Sequence, residues 1–263
     1  MPRIPYDLKW RKKAWLYERP FVLGTFCQSS DPMVIEILSL AGFDFVVVDC
    51  EHGPFSAGDV KRLMVASTAG GIVPIVRVKQ KMGPLIVEAL DAGALGVLIP
   101  HVSRATDARE AVAHARYYPL GERGLNPYIR ATGYSPEIFK SYLDWANENL
   151  VVIIQVEGLE GVKNIDEILQ VPGVDIVFLG PYDLSQSLGM PGQVDDPAVI
   201  GKMEEVIFKA KEKKIALGTF VDNEGAAGKW IELGVRFMVV GYDTRMLLNG
   251  ARAVVSSLKG TSS

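Results

Sequence analysis

Eight short runs of apolar, largely β-branched residues punctuate the chain, and each is followed by a stretch with apolar positions at helical spacing. The runs, at 21–27, 43–48, 73–78, 94–99, 150–156, 174–179, 215–220 and 235–240, predict strands. Helices are predicted near 31–41, 56–70, 82–92, 103–116, 136–148, 160–169, 196–213, 222–233 and 243–257. Strands apolar on both faces and alternating with helices predict a parallel sheet with βαβ crossovers. Eight of them without a composition break predict a closed (β/α)₈ TIM barrel. The alternative is an open doubly wound sheet. That fold wants a glycine-rich turn after its first strand, and GTFCQSSD is not GxGxxG.

Punctuation residues agree with this parse. Ser30-Asp31-Pro32 offers a helix cap followed by proline in the first turn, and Ser135-Pro136 repeats the device. Glycine-containing stops precede strands two, three, four and eight. The irregular segment 117–134 is long for a connection inside a domain, which points to a functional loop or one that buries against a neighbour. The expected organisation is a single domain over 1–263. It has an extension at 1–20, a barrel core at about 21–241 and a C-terminal helix at about 243–257.

Composition narrows the function classes. The 263 residues are 48% hydrophobic, enough for a large core, and 28 basic against 31 acidic residues give a net charge of −3. That balance argues against a coat for nucleic acid or for an anionic membrane. No run has spanning length and no signal peptide is visible, so the expected location is cytoplasmic. Cys27 and Cys50 lack CxxC spacing and read as reduced thiols.

In a barrel, catalytic groups project from the C-terminal ends of the strands. Strand two ends in Asp49-Cys50-Glu51-His52, strand three at Arg77, strand four at His101 and strand five at Gln155-Val156-Glu157. Strand six runs into Gly180-Pro181-Tyr182-Asp183, and strand seven delivers Phe220. Several strands thus aim acids, a histidine and an arginine at one mouth.

Glu157 and Asp183 follow neighbouring strands, a natural arrangement for one hard divalent cation with open positions for substrate oxygens; each acid could instead cap a helix or pair with a base. Zinc is disfavoured, since none of the three histidines has HxxxH-like spacing. His52, in an acid cluster, suits a general base or a hydrogen-bonded structural role. His101 reads as a supporting or rim residue rather than a ligand, and His114 as a surface residue within a helix. Arg77 ends an apolar strand, where an unpaired cation is costly; it meets a structural acid or, preferably, a substrate carboxylate or enolate oxygen. The helix start after Gly180 offers backbone N–H groups to an anion.

With the mouth laid out, the chain resembles the HpcH/HpaI aldolase family of class II pyruvate aldolases. The resemblance runs from about Phe21 to about Ser257 through AGFDFVVVDCEHGP, PIVRV, LDAGALGVLIPHV, RYYPLGERG, IIQVEG and DIVFLGPYDLSQSLG. It implies that Glu157 and Asp183 bind a divalent metal (Mg²⁺, Mn²⁺ or Co²⁺), with no organic cofactor. It implies that Arg77 stabilises an enolate and that His52, steered by Asp91, moves protons. Asp49 and Glu51 would order the mouth, Gln155 would line it, and amides around Gly180 and Tyr182 would meet the substrate carboxylate. Phe26 and Phe220 fall on the aldehyde side, and with Tyr182 they suggest a narrow, apolar pocket. Cys50 stands where relatives often carry glycine, and His101 where several are apolar.

The implied activity is reversible retro-aldol cleavage of a 4-hydroxy-2-oxo acid to pyruvate and an aldehyde through a metal-stabilised enolate. Decarboxylation of oxaloacetate through the same enolate, a citrate-lyase-type reaction on a CoA thioester, and a non-catalytic barrel are the alternatives. The partners implied are a small-molecule 2-oxo acid and an aldehyde. The resemblance further implies a homohexamer, a trimer of dimers, that exchanges the C-terminal helix.

Overall fold

Strands β1 (Val22–Cys27), β2 (Phe45–Asp49), β3 (Val73–Arg77), β4 (Gly96–Ile99), β5 (Val151–Val156), β6 (Ile176–Leu179), β7 (Ala216–Val221) and β8 (Phe237–Tyr242) close in sequential order. Every pair is parallel, and β1 hydrogen-bonds to β8, so the sheet has no edge and the open alternative is excluded. This is the predicted TIM barrel, seen in a computed structural model that describes residues 12–260.

The helices are α1 (Lys12–Tyr17), α2 (Pro32–Leu40), α3 (Ala57–Gly70), α4 (Gly83–Ala92), α5 (Ala105–Ala115), α6 (Phe139–Asn149), α7 (Leu159–Lys163), α8 (Ile165–Ile168), α9 (Pro181–Ser187), α10 (Pro197–Glu212), α11 (Glu224–Glu232) and α12 (Asp243–Lys259). Capping sets the start of α2 as predicted, whereas Ser135 donates its hydroxyl to Glu137 and makes no cap, and α3 has a cap that was not predicted. Asp31 accepts the Met33 N–H ahead of Pro32-led α2, and Ser56 with Asp59 forms a capping box on α3. Two predicted helices differ. The one at 136–148 begins as a 3-10 turn, Pro136–Ile138, before α6. The one at 160–169 breaks at Asn164, whose side chain donates to the Ser103 carbonyl, giving α7 and α8.

The extension assigned to 1–20 is part of the core from α1 onward; its first eleven residues lie outside the described ones. Trp15 packs edge-on against Phe45 at 5.8 Å and Phe237 at 6.2 Å, and those two rings stack at 4.0 Å. Phe237 touches Phe178, Phe178 touches Phe26, and Phe26 stacks on Tyr242. One aromatic column therefore fills the barrel from the starts of the strands to their ends. The loop at 117–134 folds back onto the helices beneath it. Arg130, buried, donates to the Met64 and Ala92 carbonyls and to Thr68 Oγ1. His114 is half-buried rather than a surface residue, because its ring packs against Gly83 of α4.

Candidate active site

Strand register brings the first pair of functional groups together. β2 and β3 pair with Asp49 opposite Arg77, and Arg77 Nε donates to Asp49 Oδ1 at 2.8 Å. Arg77 Nη1 lies 3.0 Å from Glu51 Oε2, its Nη2 lies 3.4 Å from the Tyr242 hydroxyl, and its guanidinium sits 4.3 Å above the Phe26 ring. Burial opposes charge on both partners of the Arg77–Asp49 pair, but the bond and the opposite charge win. Arg77 is held above its usual range and Asp49 below the carboxylate range. Asp49 also accepts from Gln28 Nε2 and from the backbone N–H groups of Glu51 and His52. Arg77 is thus hydrogen-bonded to Asp49 and Tyr242 and ion-paired with Glu51, and as a lining residue of the cavity it still has N–H groups that are not hydrogen-bonded.

His101 joins the two halves of the mouth. Its φ of +56° turns the ring back so that Nδ1 lies 2.8 Å from Glu157 Oε1 and Nε2 lies 2.9 Å from Glu51 Oε1. Its backbone N–H donates to the same Glu157 oxygen at 2.7 Å. The supporting role expected for this residue is more central than a place on the rim.

β5 and β6 pair with Val156 opposite Leu179, which sets Glu157 beside Gly180. A β-carbon on Gly180 would fall 2.8 Å from Cβ and Oε2 of Glu157, so only glycine lets β6 turn away this close to the carboxylate. Gln155 Nε2 donates to Glu157 Oε2, while Gln155 Oε1 is buried without a hydrogen-bond partner. Burial, with Asp183 adding to it and His101 opposing, pushes the Glu157 carboxyl up to about 7.

These groups fit a divalent cation. Glu157 is a buried carboxylate close enough to Asp183 to feel its charge, Asp183 lines the cavity, and the orphaned Gln155 oxygen is an acceptor for an ion-borne ligand's proton. Glu51, His101 and Glu157 also bring ligand atoms within 4.8 Å of one another. Both His101 nitrogens already face carboxylates there and Glu51 is turned to Arg77, so an ion would displace bonds already made.

The cavity at the mouth, about 980 Å³, is lined by His52, Arg77, Gln155, Gly180, Tyr182, Asp183, Phe26 and Phe220 among others. Twelve site residues were expected from sequence; Asp91 is the one that the chain does not carry to this end. It lies at the C-terminal end of α4, which runs back towards the strand starts, and it pairs with the fully buried Arg123 at 2.7 Å. Within one chain it does not steer His52. Neither do the neighbouring acids orient that ring, since Asp49 and Glu51 serve Arg77 and His101. His52 stays exposed, 3.9 Å from Glu51. The anion site also needs correcting. The Gly180 N–H is committed to the Val156 carbonyl at 3.3 Å and Pro181 has none, so the first-turn amides of Tyr182 and Asp183 remain.

The sequence profile of the HpcH/HpaI aldolase/citrate lyase family matches residues 23–250. The chain belongs to that family. Among HpcH/HpaI relatives it is 35% identical to 2-dehydro-3,6-dideoxy-6-sulfogluconate aldolase of Pseudomonas putida, over 90% of this chain and 92% of that one. It is 36% identical to 4-hydroxy-2-oxo-heptane-1,7-dioate aldolase of Escherichia coli, over 89% of each. The crystal structure of an HpcH/HpaI aldolase/citrate lyase family protein from Burkholderia cenocepacia J2315 superposes with a TM-score of 0.88 at 32% identity, covering 94% and 98% of the two chains.

The sequence reading passed over Tyr242, Asp222 and Gln28. Ending strand eight at Val240 left Tyr242 outside it, although β8 continues to that residue across Gly241, which has a φ of +58°.

Proposed function

We propose that this HpcH/HpaI family member is a divalent-metal-dependent pyruvate aldolase, cleaving a 4-hydroxy-2-oxo acid to pyruvate and an aldehyde and running the reaction in reverse. The observation that carries it is the sharing of one cavity by Asp183, Arg77 and Gln155, with the buried Glu157 carboxylate directly behind Gln155.

Glu157 and Asp183 would hold the cation, which when bound supplies a Lewis acid to the oxygens of the 2-oxo acid. The substrate carboxylate meets the first-turn amides of α9. Arg77 offers N–H groups not bonded to Asp49 or Tyr242 to the keto oxygen, where negative charge collects when the bond between C3 and C4 breaks and its electrons move into the enolate. Because Asp49 and Glu51 fix the guanidinium from behind, it needs no reorganisation as that charge develops. His52 takes the C4 hydroxyl proton as the aldehyde carbonyl forms, and its exposure lets it exchange that proton with water. A proton delivered to C3 from water, which regains the one released through His52, then gives pyruvate.

Pyruvate release from 4-hydroxy-2-oxoheptanedioate, before and after EDTA and again after Mn²⁺ is restored, tests the reading. Turnover that disappears and returns supports it; turnover indifferent to EDTA sinks the metal role. Release from oxaloacetate alone would make the protein a decarboxylase.

We also propose that copies of this chain assemble through α12. Of its 17 residues only Asp243 is buried, and Leu247, Val254, Val255 and Leu258 are exposed. No helix among the described residues is long and apolar enough to cross a membrane.

A further inference from the structure

The aromatic column does not stop at the barrel interior. From Arg77 outward it continues as one wall of the cavity: Phe26 under the guanidinium, Phe220 at 5.9 Å from Phe26, and Tyr182 at 6.1 Å from Phe220. Packing fixes the first two, which are buried, but Tyr182 is 45% exposed and its ring has no comparable cage. A side chain in that position keeps several rotamers unless something else holds it. Something does. The Tyr182 hydroxyl lies 2.9 Å from each carboxylate oxygen of Asp222, one residue past β7. The phenol is the donor and the carboxylate the acceptor, a charge-assisted bond.

We infer that Asp222 is a positioning residue that pins Tyr182 against Phe220, and that this pinned ring limits the bulk of the aldehyde the enzyme accepts. The inference rests on the pyruvate aldolase reading above. It assigns the aldehyde side rather than the pyruvate side because Tyr182 stands at the far end of the wall from Arg77. Its side chain reaches across to the end of β7, away from the Gln155–Glu157–Gly180 corner. The tether is exposed, and Asp222 bonds to the Tyr182 hydroxyl rather than to Arg77 or the Gln155–Glu157 corner, so it is given no part in enolate formation.

Two variants and two readouts separate the possibilities. Exchange of pyruvate methyl protons with deuterated water reports enolate formation without any aldehyde, and kcat/KM for 2-methylpropanal relative to acetaldehyde reports the wall. Asp222→Ala is expected to leave exchange within twofold and to raise that ratio about tenfold, the scale on which one pocket contact discriminates. Asp222→Asn, whose amide oxygen can still accept from the phenol, is expected to return the ratio to the wild-type value. An unchanged ratio in Asp222→Ala, or the same change in Asp222→Asn, overturns the inference, as does exchange that falls in parallel. Absence of exchange in the wild-type enzyme overturns the pyruvate reading itself and the inference with it. A normal exchange rate with an unaltered ratio removes the inference alone.

Discussion

His101 holds one oxygen of Glu157 from two directions, with its backbone N–H at 2.7 Å and Nδ1 at 2.8 Å, and offers its other ring nitrogen to Glu51. The residue therefore spaces the acid beside Arg77 from the acid beside Asp183. Replacing it with Leu removes the ring from both carboxylates while the backbone bond stays. With the ring more than half exposed, the expected cost is modest, about 1 kcal/mol in urea unfolding. The larger expected effect is on exchange of pyruvate methyl protons, because Glu51 and Glu157 lose their common spacer. Unaltered exchange in His101→Leu would show that the spacing is kept by other means.

Glu157 gives a pH dependence with a definite sign. Its carboxyl, pushed up to about 7 by burial with Asp183 adding, is protonated in the folded apo-protein at pH 6 and ionised at pH 8. A raised carboxyl contributes stability that is complete below the unfolded-state value and is lost as pH climbs through 7. The ion-free protein should thus be less stable on the alkaline side of that window, and Mn²⁺ should bind more tightly there. Calorimetric titration of Mn²⁺ at pH 6 and pH 8 checks this. Equal affinities would mean that Glu157 is not a ligand.

Arg77→Met strands the buried carboxylates of Asp49 and Glu51 without their cation. Breaking such a buried pair costs about 3–5 kcal/mol, seen as a lower urea midpoint, and enolate formation should vanish with it. Arg77→Lys keeps the charge but not the planar fork that reaches Asp49, Glu51 and Tyr242 together, so it should fold better than Met and remain nearly inactive.

Gly180→Ala tests the closeness of β6 to Glu157. The added methyl has to displace a buried carboxylate held at 2.8 Å, and a shift of that kind is expected to lower kcat by about 100-fold. Circular dichroism should show the barrel intact. A fully active Ala variant would mean that the corner relaxes without loss.

Leu247→Ser with Leu258→Ser should lower the molecular mass seen by light scattering, if the exposed face of α12 is what joins copies of the chain. An unchanged mass places the contact elsewhere.

The barrel was legible because its signal is repeated eight times, and an error of two or three residues at any one run does not alter the topology. The placement of Arg77, Glu157 and Asp183 at the mouth was legible because each lies at or within four residues of the C-terminal end of a strand, and in this fold the end of a strand is an address. His101 was underrated, since its importance depends on a left-handed backbone that folds the ring backwards, and nothing in Pro100-His101-Val102 announces that. Asp222 was missed for a different reason. Its meaning comes from Tyr182, forty residues away, and only the adjacency of β6 and β7 creates the pair. Asp91 was attached to His52 by likeness to relatives, and within one chain its own helix carries it to the opposite end, beside Arg123.

Trp15 has a bearing on how such a protein changes over time. By corking the lower opening with a segment ahead of the first strand, and resting on Phe45 and Phe237, it gives the barrel an anchorage remote from any reacting group. Residues at the upper rim can then be exchanged, a tyrosine for something smaller or an aspartate for something neutral, without loosening the part that keeps the chain folded. New substrates can be tried at one end of the molecule while the other end holds still.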